Sequence, residues 1–202
     1  MIDDIIVIDD CISKNWQDDI EKHILGNLDF PWYYCPSITR GDGPGVSHID
    51  DSDGWSHLFW NYELRGSPAT SRSTNYFLPL LQQCTGHINF KPKDLLYGRV
   101  FQTFPDRKPR QGPPYNILHV DSQIPHLVCL YYVNDSTGPT VVTDCKRPQF
   151  NTDTIKDVFP QPKIIKEIEP KKGRVVLFNG DHYHASTNPI EGRRVVINFA
   201  TT

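Results

Sequence analysis

The carboxy-terminal half of the chain alternates between short apolar segments and turn residues. The segments are rich in Val, Ile, Tyr and Phe, with Pro, Gly, Asn and Asp clustered between them, and they cover 94–104, 114–120, 126–133, 139–145, 163–168, 174–179 and 193–200. Such segments predict β-strands, and no helix-length apolar pattern lies between them. Parallel βαβ units are therefore excluded, and a sandwich or jelly roll is favoured.

The amino-terminal part has a more mixed pattern. Trp16, Ile20 and Ile24 share one face of a predicted helix, with Ser13 as its N-cap and Gly26 at its end. The predicted elements are strands over 4–9 and 57–64, helices over 14–25 and 73–84, a strand or loop over 30–40 and an exposed loop over 41–56.

Length and composition indicate one globular domain. The chain has 202 residues, of which 38% are hydrophobic, enough for a sizeable core. We expect a mainly β (α+β) protein with a single domain over 1–202, in which a helical part over about 1–92 supports a β core over about 93–202.

Charge and cysteine content narrow the partners and the compartment. The formal net charge of -3 gives no reason to expect a nucleic acid or an anionic membrane as partner. Five cysteines without a CxxC pair indicate reduced thiols, and the acidic start "MIDDIIVIDD" resembles neither a signal peptide nor a membrane span. A cytoplasmic location is expected, and the oligomeric state is left open.

A possible set of metal ligands lies at the ends of two predicted strands. In extended backbone, residues i and i+2 point to the same side, so His119 and Asp121 can offer a nitrogen and an oxygen to one ion. The stretch "VVLFNGDHYHASTNP" supplies His182 and His184 as candidates for a third ligand. Two histidines and one carboxylate leave part of an octahedral shell open, as in non-haem Fe(II) oxygenases. His-x-Asp alone is a weak motif.

An arginine follows at the start of the last predicted strand, in "GRRVVINF". An iron enzyme that uses a dicarboxylate cosubstrate needs such a cation, because a guanidinium can bind both oxygens of a carboxylate.

The order of these features resembles the iron(II)/2-oxoglutarate-dependent dioxygenases, in particular the prolyl 4-hydroxylase-like branch with its small viral and bacterial members. The resemblance runs from His119-x-Asp121 through "YYVND" and "RVVLF" to His184 and Arg194, and covers about residues 94–200. "IVIDDCIS" followed by a helix extends it over most of the chain. It implies a double-stranded β-helix (jelly roll, cupin-like) with the N-terminal helices packed on the major sheet.

The resemblance also implies roles for single residues. Fe(II) would be held by His119, Asp121 and His184, which is preferred to His182 because the family's distal ligand is followed by a small residue and a turn, as in "HASTNP". The second tyrosine of "YYVN", Tyr132, would contact the distal carboxylate of 2-oxoglutarate. A further cosubstrate contact is expected near "RVFQTF", at Gln102 or Phe104, although Phe104 has no hydroxyl.

The choice between two arginines depends on alternation in the last strand. Arg194, Val196 and Asn198 share the more polar face, while the face that starts with Arg193 is otherwise apolar and should pack into the core. Arg194 is therefore expected to bind 2-oxoglutarate, with Arg193 as the alternative and Asn198 beside it in the cosubstrate cavity.

The implied activity is hydroxylation of a C–H bond with O2, coupled to conversion of 2-oxoglutarate to succinate and CO2. The substrate would be a peptidyl proline or another amino-acid-like group in a peptide or small molecule, and ascorbate is considered as a reductant. Asp121 favours hydroxylation over halogenation, because related halogenases have a small residue in its place.

Other interpretations remain at this stage. The chain could be a non-catalytic jelly-roll binding module, or its ligands could hold Zn instead of iron. The basic, Pro-rich stretch 103–116 could be a lid or a solvated connection, and His126 a neighbour of the site or a polar strand start.

Overall fold

A computed structural model describes residues 2–39, 51–64, 66–110, 112–147 and 162–202. Within these ranges it has two helices, α1 (Lys14–Leu25) and α2 (Thr74–Gly86). The strands are β1 (Ile6–Ile8), β2 (Tyr33–Cys35), β3 (Gly54–Asn61), β4 (Leu95–Thr103), β5 (Leu127–Tyr132), β6 (Thr140–Lys146), β7 (Ile164–Ile168), β8 (Val175–Asn179), β9 (His182–Ser186) and β10 (Arg194–Thr201).

The strands form two sheets. The larger has seven strands in the order β1-β8-β5-β10-β4-β3-β2, and the smaller has three in the order β7-β6-β9. The strand pairs of the described residues are antiparallel. The prediction of a mainly β protein without parallel βαβ units is confirmed.

The large sheet is covered on both faces. On one side, Ile20 and Ile24 of α1 pack in a core with Val195, Ile197 and Phe199 of β10. The opposite face forms a second core with the smaller sheet, made by Val128, Leu130, Tyr132, Val142, Ile168, Val176, Phe178 and Val196. Every residue of the interior strand β5 is buried because neither of its faces meets solvent.

The helix boundaries follow local signals. Ser13 Oγ accepts a hydrogen bond from the backbone N–H of Trp16 at 3.4 Å, and Gly26 ends α1 as predicted. α2 contains Pro79 but continues to Gly86, two residues beyond the predicted end. Its buried face packs into the core, and that packing stabilises the helix despite the proline.

Two predicted elements are wrong. Residues 114–120 do not form a strand, and they pair with β9 and its following residue through two isolated bridges, Tyr115 with Thr187 and His119 with His184. The polar segment "HYHAS" was not predicted as a strand, yet it is β9. Its pairing with β6 supplies the hydrogen bonds that its side chains do not suggest.

The other strand predictions differ at their ends. The remaining six carboxy-terminal predictions match β4 to β8 and β10 to within one residue at each end. β3 spans 54–61 instead of 57–64, so the predicted loop over 41–56 is wrong for 54–56, and 41–50 lie outside the described residues. A Cβ at Gly54 would be 2.7 Å from the Gln102 carbonyl oxygen, so the strand needs this glycine for close pairing.

Among the described residues, neither helix is long and apolar enough to span a membrane.

Candidate metal centre

Three predicted ligands converge at one end of the smaller sheet. One ligand atom each from His119, Asp121 and His184 lies within 4.8 Å of the others. His184 is in β9, and the segment with His119 is joined to it by two backbone hydrogen bonds of 3.0 Å, one in each direction. This bridge places the two imidazoles side by side, with ring centroids 4.6 Å apart.

Local hydrogen bonds select the nitrogen that each imidazole presents. His119 Nδ1 lies 3.0 Å from the Ile117 carbonyl oxygen, and His184 Nδ1 lies 3.1 Å from the His182 carbonyl oxygen. A carbonyl only accepts, so each Nδ1 carries a proton, and Nε2 is the nitrogen that each imidazole can offer to a metal ion. These Nε2 atoms face Asp121, at 4.0 Å from Oδ1 for His119 and 3.5 Å from Oδ2 for His184.

The Asp121 carboxylate is fully buried and is held at both oxygens. Arg99 Nη2 donates to Oδ1 at 2.6 Å, and Asn198 Nδ2 donates to Oδ2 at 3.0 Å. The Arg99 guanidinium itself lies over the ring of Phe101, 4.8 Å from its centroid. The carboxylate orientation is therefore set before any ion binds.

Both ligand types are in the protonation state that a cation requires. Burial opposes ionisation of Asp121, but its contact with His184 and the charge of Arg99 outweigh burial and hold the pKa of this carboxyl well below its ordinary value. Burial, followed by the neighbouring His184, lowers the pKa of His119 to about 4. Near pH 7 the site thus offers a neutral imidazole and an ionised carboxylate, a donor set that fits a divalent transition metal.

A pocket begins at these ligands and ends at a buried arginine. Arg194 is 3% exposed and donates from Nε to the Gly138 carbonyl oxygen at 3.0 Å and from Nη2 to Thr140 Oγ1 at 2.8 Å. Its guanidinium lies 5.6 Å from the ring centroid of Tyr132. The pocket is lined by Ile38, Thr39, Phe101, Thr103, His119, Asp121, Leu130, Thr140, His184, Ala185, Ser186, Arg194, Val196 and Asn198.

Three threonines line this pocket, Thr39, Thr103 and Thr140, and the sequence predicted a role for none of them. Thr103 is the direct strand neighbour of Arg194, and its Oγ1 is buried and has no hydrogen-bond partner among the described residues. An unpaired buried hydroxyl in a pocket wall is available to a polar ligand. Thr140 already contacts Arg194. The alternation of β4 could have placed Thr103 on the same face as Phe101, but its pairing with Arg194 depends on tertiary register.

Of three predicted cosubstrate contacts, Gln102 and Tyr132 do not line the pocket, whereas Asn198 does. Gln102 pairs with Val195 and shares its face of the sheet, so it points away from the pocket. Tyr132 lies behind the wall, where its hydroxyl is 2.6 Å from Thr140 Oγ1 and donates to the Ile168 carbonyl oxygen. Asn198 does face the pocket, but its amide binds the metal-ligand candidate Asp121.

The residues that the sequence left open as alternatives for the site do not line this pocket. His182 is buried, with Nδ1 2.7 Å from the Thr143 carbonyl oxygen, and lies outside the ligand cluster. Arg193 is exposed and precedes β10. His126 is completely buried and packs against Gly180, where a Cβ would be 2.2 Å from His126 Nε2. Phe104 is 38% exposed and does not line the pocket.

Two arginines in the basic stretch after β4 differ in exposure, because the Arg110 side chain points into the protein and the Arg107 side chain points into solvent. The Arg110 side chain is 9% exposed and its guanidinium is bound by protein acceptors. The Arg107 side chain is 83% exposed and has a long contact of 3.4 Å with Asp53. The inward arginine is thus part of the folded structure, and the outward one can meet a ligand.

Comparisons with known proteins identify the fold through similar solved structures. No family model matches this chain, and no curated protein sequence matches it. A 2OG-Fe(II) oxygenase family oxidoreductase from Burkholderia pseudomallei has a similar structure, with a TM-score of 0.62, 11% identity, and 97% of this chain and 84% of that chain covered.

Two further solved structures are similar. A prolyl hydroxylase from Trichoplax adhaerens, in complex with a hypoxia inducible factor peptide, has a TM-score of 0.55 and 14% identity, covering 98% of this chain and 82% of that chain. The non-heme alpha ketoglutarate dependent epimerase SnoN from nogalamycin biosynthesis has a TM-score of 0.57 and 12% identity, and the match covers 99% of this chain and 78% of that chain. The chain therefore has the fold of the 2OG-Fe(II) oxygenases, including prolyl hydroxylases, as the order of its sequence motifs predicted.

Proposed function

We propose that the protein is a non-haem Fe(II)- and 2-oxoglutarate-dependent dioxygenase that hydroxylates a C–H bond. The observation that carries the proposal is the convergence of His119, Asp121 and His184 within 4.8 Å, in a pocket that also contains buried Arg194. Iron and 2-oxoglutarate, when bound, supply the oxidative chemistry that yields succinate, CO2 and a hydroxylated product. A simple Zn site would not need the arginine.

In this proposal the three ligands hold the iron and the surrounding chain keeps them in position. The carbonyl oxygens of Ile117 and His182 hold the imidazole tautomers that present Nε2. Arg99 and Asn198 hold the carboxylate, so that it need not reorient when the metal arrives.

Arg194 would bind the distal carboxylate of 2-oxoglutarate at the far end of the pocket. Two of its five N–H groups are used by Gly138 and Thr140, which leaves donors for a carboxylate. The Thr103 hydroxyl has no partner in the part of the chain that the structure describes and lies on the strand next to Arg194, and Thr140 lines the same end of the pocket. We therefore assign the accompanying hydroxyl contacts to these threonines in place of Gln102 and Tyr132. Tyr132 and Thr140 would keep the arginine in place.

We also propose that the strands of the two sheets that lie within about 93–202 form a double-stranded β-helix, within a single domain of 1–202. The part over about 1–92 supports it with both helices and adds β1, β2 and β3 to the larger sheet. Support comes from the core between the sheets and from the helices that cover the other face of the large sheet. The substrate proposed is a peptidyl proline or another amino-acid-like group. Its support is the structural similarity to a prolyl hydroxylase in complex with a peptide fragment.

The activity test is turnover of 2-oxoglutarate. Purified protein is supplied with Fe(II), O2 and 2-oxoglutarate, with and without proline-containing peptides and amino acids, and succinate is measured. We expect slow succinate formation without substrate and faster formation with the right one, and none in Asp121→Ala. Wild-type protein that forms no succinate with any substrate, or Asp121→Ala that matches it, would count against the proposal.

A binding test is independent of the substrate. A crystal soaked with Mn(II) and N-oxalylglycine, an unreactive analogue of 2-oxoglutarate, should have the ion between His119, Asp121 and His184 and the distal carboxylate at Arg194. An ion elsewhere, or an analogue that does not reach the arginine, would refute the assignment.

A further inference from the structure

A polar network joins the two chain segments that carry the histidines. Asn116 precedes His119, and its Nδ2 donates to Ser186 Oγ at 3.0 Å and to Asn188 Oδ1 at 3.2 Å. Its backbone N–H donates to the Ser186 carbonyl oxygen at 2.8 Å. Ser186 is the last residue of β9, which contains His184. The network therefore lies just outside the ligand cluster.

Arg110 is at the centre of this network. Its Nη2 donates to Asn116 Oδ1 at 2.7 Å and to Ser52 Oγ at 2.6 Å, and its Nη1 donates to the Tyr115 carbonyl oxygen at 3.1 Å. Asp106 balances the charge, with Oδ2 3.2 Å from Arg110 Nε. One guanidinium thus joins three parts of the chain, at Ser52, at Asp106 and at Tyr115-Asn116, because its planar donors point in several directions.

The network is buried, so its hydrogen bonds are costly to lose. Asn116 is fully buried, and Ser52 and Asn188 are 7% and 8% exposed. Removing the guanidinium would leave Asn116 Oδ1 with Ser52 as its remaining described donor. Buried acceptors that lose a charged donor destabilise the local structure around them.

The segment that carries His119 needs such support. It is not a strand, and two isolated bridges join it to β9 and Thr187 instead of a continuous ladder. The preceding prolines at 105, 109, 113 and 114 have no N–H to donate. Side chains therefore add to the few backbone hydrogen bonds that hold this part of the chain, and Arg110 donates two of them, to the Tyr115 carbonyl oxygen and to Asn116 Oδ1.

We infer that Arg110 is a positioning residue of the metal centre: it acts through Asn116 to hold the His119 segment against the β9 segment that carries His184. The inference rests on the proposed metal site. It makes Arg110 neither a ligand nor a substrate contact. The basic stretch after β4 then contains one arginine that organises the site and another, Arg107, that faces solvent.

The test compares Arg110→Met with Arg107→Met, a matched change in the same stretch. Mn(II) affinity is measured by calorimetry without O2, thermal melting reports global folding, and amide hydrogen exchange reports local opening at residues 115–119. For Arg110→Met we expect Mn(II) to bind about tenfold more weakly, as when partners of metal ligands are removed, with faster exchange at 115–119. For Arg107→Met, both quantities should match wild type.

Arg110→Lys covers the case in which Arg110→Met does not fold. Lysine keeps the charge but not the planar set of donors, so its Mn(II) affinity should lie between wild type and the methionine variant. A folded Arg110→Met, or failing that Arg110→Lys, with wild-type Mn(II) affinity and exchange would overturn the inference. Wild-type protein that binds no Mn(II) at all would instead refute the proposed metal site.

Discussion

Replacing Arg194 by methionine should remove most of the affinity for 2-oxoglutarate. Arg194 is 3% exposed, lines the pocket and has donors beyond the two that bind Gly138 and Thr140. A hydrogen bond to a charged group contributes about 1.5–3 kcal/mol. Losing two such bonds to one carboxylate costs about 3 kcal/mol or more, which corresponds to at least about a 100-fold rise in Kd.

The assay is calorimetric titration of Mn(II)-loaded protein with 2-oxoglutarate in the absence of O2. Arg193→Met is the matched control, because Arg193 is the exposed neighbour outside β10 and its loss should leave the Kd within about twofold of wild type. Unchanged Mn(II) affinity in Arg194→Met would indicate that the metal ligands remain in place.

The same substitution leaves the Gly138 carbonyl and the Thr140 hydroxyl without their arginine donor, at a cost of about 1–3 kcal/mol in folding stability. Melting curves must therefore accompany the titration. A folded Arg194→Met that binds 2-oxoglutarate as wild type does, or an Arg193→Met that loses as much affinity, would refute the reasoning from strand alternation.

Three further predictions concern the ligands. His184→Ala should abolish Mn(II) binding whereas His182→Ala should keep it within a few-fold, as measured by equilibrium dialysis, because His182 lies outside the ligand cluster; the reverse order would exchange their roles. Arg99→Met should lower the unfolding free energy of the metal-free protein by about 2–3 kcal/mol, measured in urea, because the buried Asp121 carboxylate loses its charged donor and keeps the hydrogen bond from Asn198. Saturating Mn(II) should increase the stability of the variant more than that of wild type. Equal gains in stability would contradict this. Folding lowers the pKa of His119 from an ordinary 6.5 to about 4, so the unfolded chain binds this proton first as the pH is lowered, and folding stability decreases from pH 6.5 toward pH 4. Between pH 7 and pH 5 the metal-free protein should lose about 2 kcal/mol of stability in this way. Urea titrations of His119→Gln should lack this loss.

Strand alternation and the order of the motifs predicted most of the carboxy-terminal strands and the pocket face of β10. Six of the seven carboxy-terminal strand predictions match observed strands to within one residue at each end, and Arg194, Val196 and Asn198 do share the pocket face of β10. The ligand candidates His119, Asp121 and His184 also come together, although their binding of a metal remains a prediction.

The errors have a common physical cause. β9 was missed because a polar five-residue segment has no strand signal of its own and owes its conformation to β6. Gln102 was placed in the pocket by analogy of position, whereas its pairing with Val195 turns it to the other face. Each of these features depends on a partner that is distant in the sequence.

The sequence by itself determined the features that arise within one segment: the alternating faces of the strands and the caps of α1. Only the tertiary structure decided that Arg99 holds Asp121, that Thr103 lies beside Arg194 and that Arg110 binds Asn116. Backbone geometry orients a side chain locally, but the register between strands and the burial of polar groups select its partner.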